Sequence, residues 1–159
     1  MMKINKLYTQ PETFTPVRFF SGINLIIGEP NPTSNKTNGV GKTLLIEFIN
    51  FCLLKEYKFS RISKIPSSSY PSETTICLDI EINNIDYTIK RNIKNHNEPT
   101  ITYLGCEKKF DNLQDASDFL TIKLFSNNTT GETPSFRSMM GPLIRDEGSE
   151  FKSDRKSTR

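Results

Sequence analysis

Apolar and polar positions alternate with a changing period along the 159-residue chain, and each change of period predicts an element. Ile4 to Tyr8 and Phe14 to Phe20 mix the two kinds loosely and read as two strands. Ser21-Gly22 turns the chain. Ile23-Asn24-Leu25-Ile26-Ile27 is short and rich in β-branched residues, which predicts a buried strand. Residues 28–41, with their Gly, Pro, Asn and Thr, predict a loop. From Lys42 to about Leu54 apolar residues run nearly all the way round a helical wheel, which predicts a helix buried on most sides. Residues 55–73 are polar and rich in Ser and Pro, a loop. Thr75 to Ile82 alternates strictly, Asn83-Asn84 is a hairpin turn signal, and Ile85 to Ile93 is the return strand. Thr100 to Leu104 adds a third short strand, so this region reads as a half-exposed antiparallel meander. Asp111 to Phe125 has helical spacing with Asp111 as the expected N-cap. Phe136 to Ile144 is apolar, interrupted by Gly141-Pro142 and flanked by Arg137 and Arg145.

Composition narrows the class. The length corresponds to one domain at roughly 100–200 residues each. A hydrophobic share of 35% and a charged share of 25% are ordinary for a folded protein. The longest apolar stretch, near 44–54, is interrupted by Glu47 and Asn50, so no membrane-spanning segment is expected. The net charge of +3 is concentrated at the end of the chain. Residues 148–159 carry +2 of it and form a polar tail expected to be loose, which leaves +1 on residues 1–147. The basic balance is therefore no nucleic-acid footprint. Cys52, Cys77 and Cys106 are odd in number, widely spaced and without metal-site spacing. Together with an N-terminus that has no apolar export run, they point to the cytoplasm.

The segment with recognisable chemistry is the loop over 28–43. A strand, then Asn38-Gly39-Val40-Gly41-Lys42-Thr43, then an apolar helix is the arrangement a phosphate-binding loop requires. Glycines let successive backbone N–H groups curl around phosphate oxygens. The following helix directs its positive end at the anion. A lysine at the helix start reaches the β- and γ-phosphates, and the adjacent hydroxyl ligates Mg²⁺. Asn38, Gly39, Val40, Gly41, Lys42 and Thr43 are the expected phosphate site, with Thr43 as the metal ligand. In the full G-x-x-x-x-G-K-[ST] pattern Lys36 stands where the first glycine would fall, and Gly28 lies eight residues earlier. Either the loop is lengthened or Lys36 replaces that glycine. Lys36 is also a candidate for added phosphate affinity.

Gly22 to Gly28 followed by Asn38 to Thr43 resembles the N-terminal lobe of SMC-, RecN-, RecF- and SbcC-type ABC ATPase heads. Asp86 to Ile93 is similar to the "Tyr-x-Ile-x-Arg" strand of their meander. Thr37–Thr43 through Asn50-Phe51-Cys52-Leu53, with Ser135-Phe136-Arg137 and Ile144-Arg145, looks like a little-characterised bacterial coiled-coil family of this kind. The resemblance covers about residues 2–147. It implies an α/β fold: a P-loop NTPase N-terminal lobe, a mixed sheet with an antiparallel meander, and flanking helices. ATP and Mg²⁺ are the implied ligands. It also implies an accessory phosphate-directed arginine, for which Arg61 is the candidate.

The same resemblance implies partners. Such heads use an Asp-Glu pair at the end of a later apolar strand and an LSGGQ-like signature; no LSGGQ-like run occurs in these 159 residues, and the chain's Asp-Glu dipeptide, Asp146-Glu147, follows Arg145 rather than an apolar strand. Asp79 in Ile76-Cys77-Leu78-Asp79 is the nearest look-alike, but alternation places it on a solvent-facing strand position with Ile80 after it. The chain thus reads as the first half of a split head, binding Mg-ATP and hydrolysing it only with a second lobe or partner head, from itself or a separate chain. DNA is a family partner that the charge does not support. The rival readings are a non-enzymatic interaction module with a vestigial loop and, less favoured by the meander, a small P-loop kinase or GTPase. Gln114 as a magnesium-sensing glutamine, and Arg137 and Arg145 as nucleotide or DNA contacts, are weighed against exposed helix positions, which are favoured; His96, in the turn Lys94 to Asn97, has no catalytic partner.

Overall fold

The computed structural model describes residues 1–27, 41–71, 73–125 and 134–144. Six strands form one sheet: β1 (Met2–Gln10), β2 (Val17–Arg18), β3 (Thr75–Ile82), β4 (Ile85–Asn92), β5 (Thr100–Tyr103) and β6 (Cys106–Lys109). Their order across the sheet is β2-β1-β3-β4-β5-β6, and every pairing is antiparallel. Three α-helices flank it: α1 (Lys42–Cys52), α2 (Leu113–Phe125) and α3 (Phe136–Leu143). Short 3-10 turns occupy Tyr57–Phe59, Arg61–Lys64 and Ser67–Ser69 in the expected loop region. The α/β class with its meander and flanking helices is as the sequence predicts, while the sheet is antiparallel at each described pairing rather than mixed.

The period-2 pattern explains the sheet's two faces. Ile76, Leu78, Ile80 and Ile82 on β3 point to one side, and Tyr87 and Ile89 on β4 with Ile101 on β5 join them. Leu7 on β1 lies opposite Leu78 and completes the layer. The other face carries Lys3, Asp79, Glu81, Thr88 and Lys90. Its bases are matched by acids, in the ion pairs Lys3–Glu81 at 3.1 Å and Lys90–Glu107 at 2.7 Å. Helix α1 packs on the apolar face, and every residue from Glu47 to Leu54 is buried. Burial of each large apolar side chain there contributes about 1.5–3 kcal/mol.

Several sequence expectations change. The chain from Ile23 to Ile27 is no strand: Ile23 is 99% exposed, Leu25 79% and Ile27 72%. The sheet edge at β1 is taken by Val17–Arg18 instead, opposite Leu7 and Lys6. The Asn24 side chain also folds the backbone into a bend, accepting from the Phe20 N–H and donating to the Phe20 carbonyl, both at 2.8 Å. The strand expected over Phe14–Phe20 shrinks to two residues, because Phe14 leaves the sheet to stack on Phe48 of α1, centroids 5.7 Å apart. β6 was not anticipated. Leu104 and Gly105, with φ of 48° and 75°, form the two-residue turn that returns the chain. Asn112 rather than Asp111 caps α2, accepting from the Asp115 N–H at 2.8 Å.

A candidate phosphate-binding site at the start of the first helix

Gly41 occupies the N-cap position of α1 with φ +84°, in the left-handed region. A Cβ there would touch nothing within 4 Å, so the backbone angle, not crowding, selects glycine. Among the described residues no side chain caps the helix, and no acid lies in its first turn. The N–H groups of a first turn have no intrahelical acceptor and carry the positive end of the helix dipole, which suits an anion. Lys42 is exposed at the first helical position and Thr43 is half-buried behind it. Beside them a groove of about 210 Å³ runs between Phe14 and the face of Gly41, Leu44, Leu45 and Phe48. Asn38, Gly39, Val40 and Lys36 lie outside the described residues. The Thr43 hydroxyl is a hard oxygen donor, which fits Mg²⁺, an ion that takes few protein ligands and keeps its waters or phosphate oxygens. Among the described residues no group of three or more His, Cys, Asp or Glu forms a metal site.

The far end of α1 is held by charge. Leu53 is the C-cap, Leu54 follows with φ 67°, and the Lys55 and Leu54 N–H groups donate to the Asn50 and Phe51 carbonyls at 3.0 Å each. This is a Schellman ending with leucine at the left-handed position. Arg91, on the core face of β4 and fully buried, donates to the Phe51 carbonyl, to the Lys55 carbonyl at 2.9 Å and to the His96 carbonyl at 3.0 Å. Burial is the main cause that lowers its pKa to about 10. Arg137 of α3 donates from Nη1 to Asn50 Oδ1 and to the Leu53 carbonyl, both at 3.3 Å. Two cations thus sit at the negative end of α1, where its last carbonyls need partners.

Glu47, 1% exposed, lies midway along the helix. It accepts from Lys55 Nζ at 2.9 Å, from the Ser60 hydroxyl at 2.8 Å and from the Arg61 N–H at 3.0 Å. Burial pushes this carboxyl up, yet the three donors more than offset it and hold it below its ordinary value.

The remaining candidates fall in place around this frame. Arg61 is exposed, and its backbone is seated on Glu47, five residues into α1 beyond Lys42. Arg137, expected at the surface, is half-buried against α1, because its guanidinium completes the helix end. Asp79 sits in the centre of the sheet's polar face, accepting from Thr88 Oγ1 at 2.8 Å. Gln114 donates to Asp118 along the exposed side of α2, and His96 stacks on Tyr57 with centroids 4.1 Å apart. Arg145 lies outside the described residues. Sequence reasoning missed Glu47, and it missed what Arg91 does. Both had a signal: an acid inside an otherwise apolar helix, and an arginine in phase with Tyr87 and Ile89.

A left-handed glycine, a lysine and a hydroxyl thus stand together at the start of α1. A family model described as an AAA domain matches residues 5–153, and the chain belongs to that family of nucleotide-binding, ATPase-type domains. No curated protein and no solved structure matches the chain. Among the described residues no helix is long and apolar enough to cross a membrane.

Proposed function

We propose that this chain binds Mg-ATP as the N-terminal lobe of an SMC-like ATPase head in the cytoplasm. The observation that carries the reading is the left-handed Gly41 placed directly before Lys42 and Thr43 at the start of a helix with no acid in its first turn. Lys42 Nζ would reach the β- and γ-phosphates, and the amides that follow Gly41 would receive phosphate oxygens. Thr43 Oγ1 would hold Mg²⁺, which when bound neutralises phosphate charge. In-line attack by water on the γ-phosphate would then be favoured by charge stabilisation from Lys42. An acid that orients the water, and a signature segment over the nucleotide, would come from a second lobe or partner head.

The exposed side chains of Ile23, Leu25 and Ile27 support that division. They lie with Ile26 in one exposed apolar run, and a run of this kind marks a surface that a partner covers. The same observation favours the second reading, an interaction module whose loop no longer works. Titration of the chain with a fluorescent ATP analogue and Mg²⁺ separates them. The nucleotide reading expects Lys42→Ala to weaken binding at least tenfold, and turnover by the chain alone to be close to background. Equal binding by parent and Lys42→Ala overturns it in favour of the interaction module. Substantial turnover by the chain alone overturns the need for a second lobe.

A further inference from the structure

Helix α1 is held by its back half. All residues from Glu47 to Leu54 are buried, whereas Lys42 is exposed and Thr43 to Ile46 are half-buried. Leu44 and Leu45 pack on the core only in part, so the firmest hold on the helix, and on the direction of its first turn, lies at its C-terminal half. Arg91 provides one grip and belongs to the sheet itself. The other comes from α3, 84 to 87 positions further along the chain. Phe136 anchors α3 in the core, and its N–H donates to Thr121 Oγ1 of α2 at 2.8 Å. Ser135 caps the helix by accepting from the Ser138 N–H at 3.2 Å. Arg137 is thereby delivered to Asn50 Oδ1 and the Leu53 carbonyl by a preformed α2–α3 unit.

We propose that Arg137 is a positioning residue: by clamping the C-terminal end of α1 to α3, it sets where Gly41, Lys42 and Thr43 are presented, and so couples the docking of α3 to occupancy of the phosphate site. The proposal rests on the nucleotide reading above for its ligand, but its mechanical half stands on the clamp alone. Linkage makes the coupling reciprocal: if docked α3 favours phosphate binding, bound phosphate favours docked α3 by the same factor. Burial lowers the pKa of Arg137, and the Glu47 carboxylate opposes that by favouring the charged guanidinium, which ties the middle of the helix into the same cluster.

The test compares the full chain with Arg137→Ala, Arg137→Lys and Ile101→Ala, the last a core truncation on β5, outside all three helices. Each is studied well below its melting temperature, by amide hydrogen exchange without nucleotide and by titration with the fluorescent ATP analogue and Mg²⁺. Loss of the charged donor is expected to speed exchange over residues 44–48 and to weaken nucleotide binding by about tenfold each. Arg137→Lys, which keeps the charge and one donor, recovers part of both, and Ile101→Ala changes neither. Unchanged exchange over 44–48 in Arg137→Ala overturns the proposal. So does faster exchange with binding within twofold of the parent, or an Ile101→Ala variant that reproduces both effects. If the parent itself shows no Lys42-dependent binding, the nucleotide reading falls, and the exchange result alone decides whether Arg137 positions α1.

Discussion

The Arg91 guanidinium lies over the Phe51 ring, 3.8 Å from its centroid, while donating to the carbonyl of that same residue. One side chain of β4 thus holds both the side chain and the backbone of α1. The contact joins sheet to helix at the point where the helix has run out of intrahelical donors for its carbonyls. The face of the Phe51 ring attracts the cation.

Replacing Arg91 is therefore expected to be costly. Arg91→Met leaves the Lys55 and His96 carbonyls without their donor and removes the cation from the Phe51 ring. A loss of about 2 kcal/mol follows from the two half-buried acceptors and the lost ring contact. Arg91→Lys should recover little, since an ammonium on a flexible stem cannot match a planar fork that serves three carbonyls. Urea unfolding followed by circular dichroism measures both. A change below about 0.5 kcal/mol in Arg91→Met would contradict the clamp.

Much of this fold is readable in the chain itself. The strict alternation of Thr75 to Ile82 and the apolar run of α1 each follow from a single local rule, so β3 and α1 are evident from composition and period. The Gly41-Lys42-Thr43 triplet is evident for the same reason: its chemistry is contiguous. Ile23 to Ile27 is different. Its residues favour a strand, but a strand exists only if a neighbour offers hydrogen bonds, and Val17–Arg18 occupies the β1 edge. Arg137 is different again, since its partners Asn50 and Leu53 lie far back in the chain. No local pattern encodes a contact across that separation. β6 was hidden by brevity: four residues, Cys106–Lys109, all exposed, carry no alternation to read.

The hairpin between β3 and β4 offers a contrast within one turn. Asn83 and Asn84 both have positive φ, 50° and 65°, in a two-residue loop between the paired Ile82 and Ile85. Glycine relieves that backbone conformation, so Asn84→Gly should stabilise by about 0.5 kcal/mol. Asn83→Gly should instead destabilise by about 1 kcal/mol, because its side-chain amide donates to the Lys123 and Leu124 carbonyls at the end of α2. Thermal melting of the two variants is the check. Equal shifts of the same sign would show that the Asn83 bridge to α2 has no weight.

Glu47 should make the stability of the helix anchor depend on pH. Burial raises its pKa, and the Lys55, Ser60 and Arg61 donors overcome that and hold it below the ordinary value of 4.5. A carboxyl whose folded pKa lies below its unfolded one stabilises the fold above the unfolded value. That contribution is lost as pH falls through the folded value. In Glu47→Gln the amide turns a donor toward the Lys55 ammonium and forfeits the ion pair, at a cost of about 2 kcal/mol near neutral pH. The gap between parent and variant should hold from about pH 7 down to the ordinary carboxylate range, then close as Glu47 in the folded parent takes up a proton. Urea midpoints of the two proteins across that range measure it directly. A gap that stays constant or widens on acidification would mean that Glu47 is not held as an anion by its three donors.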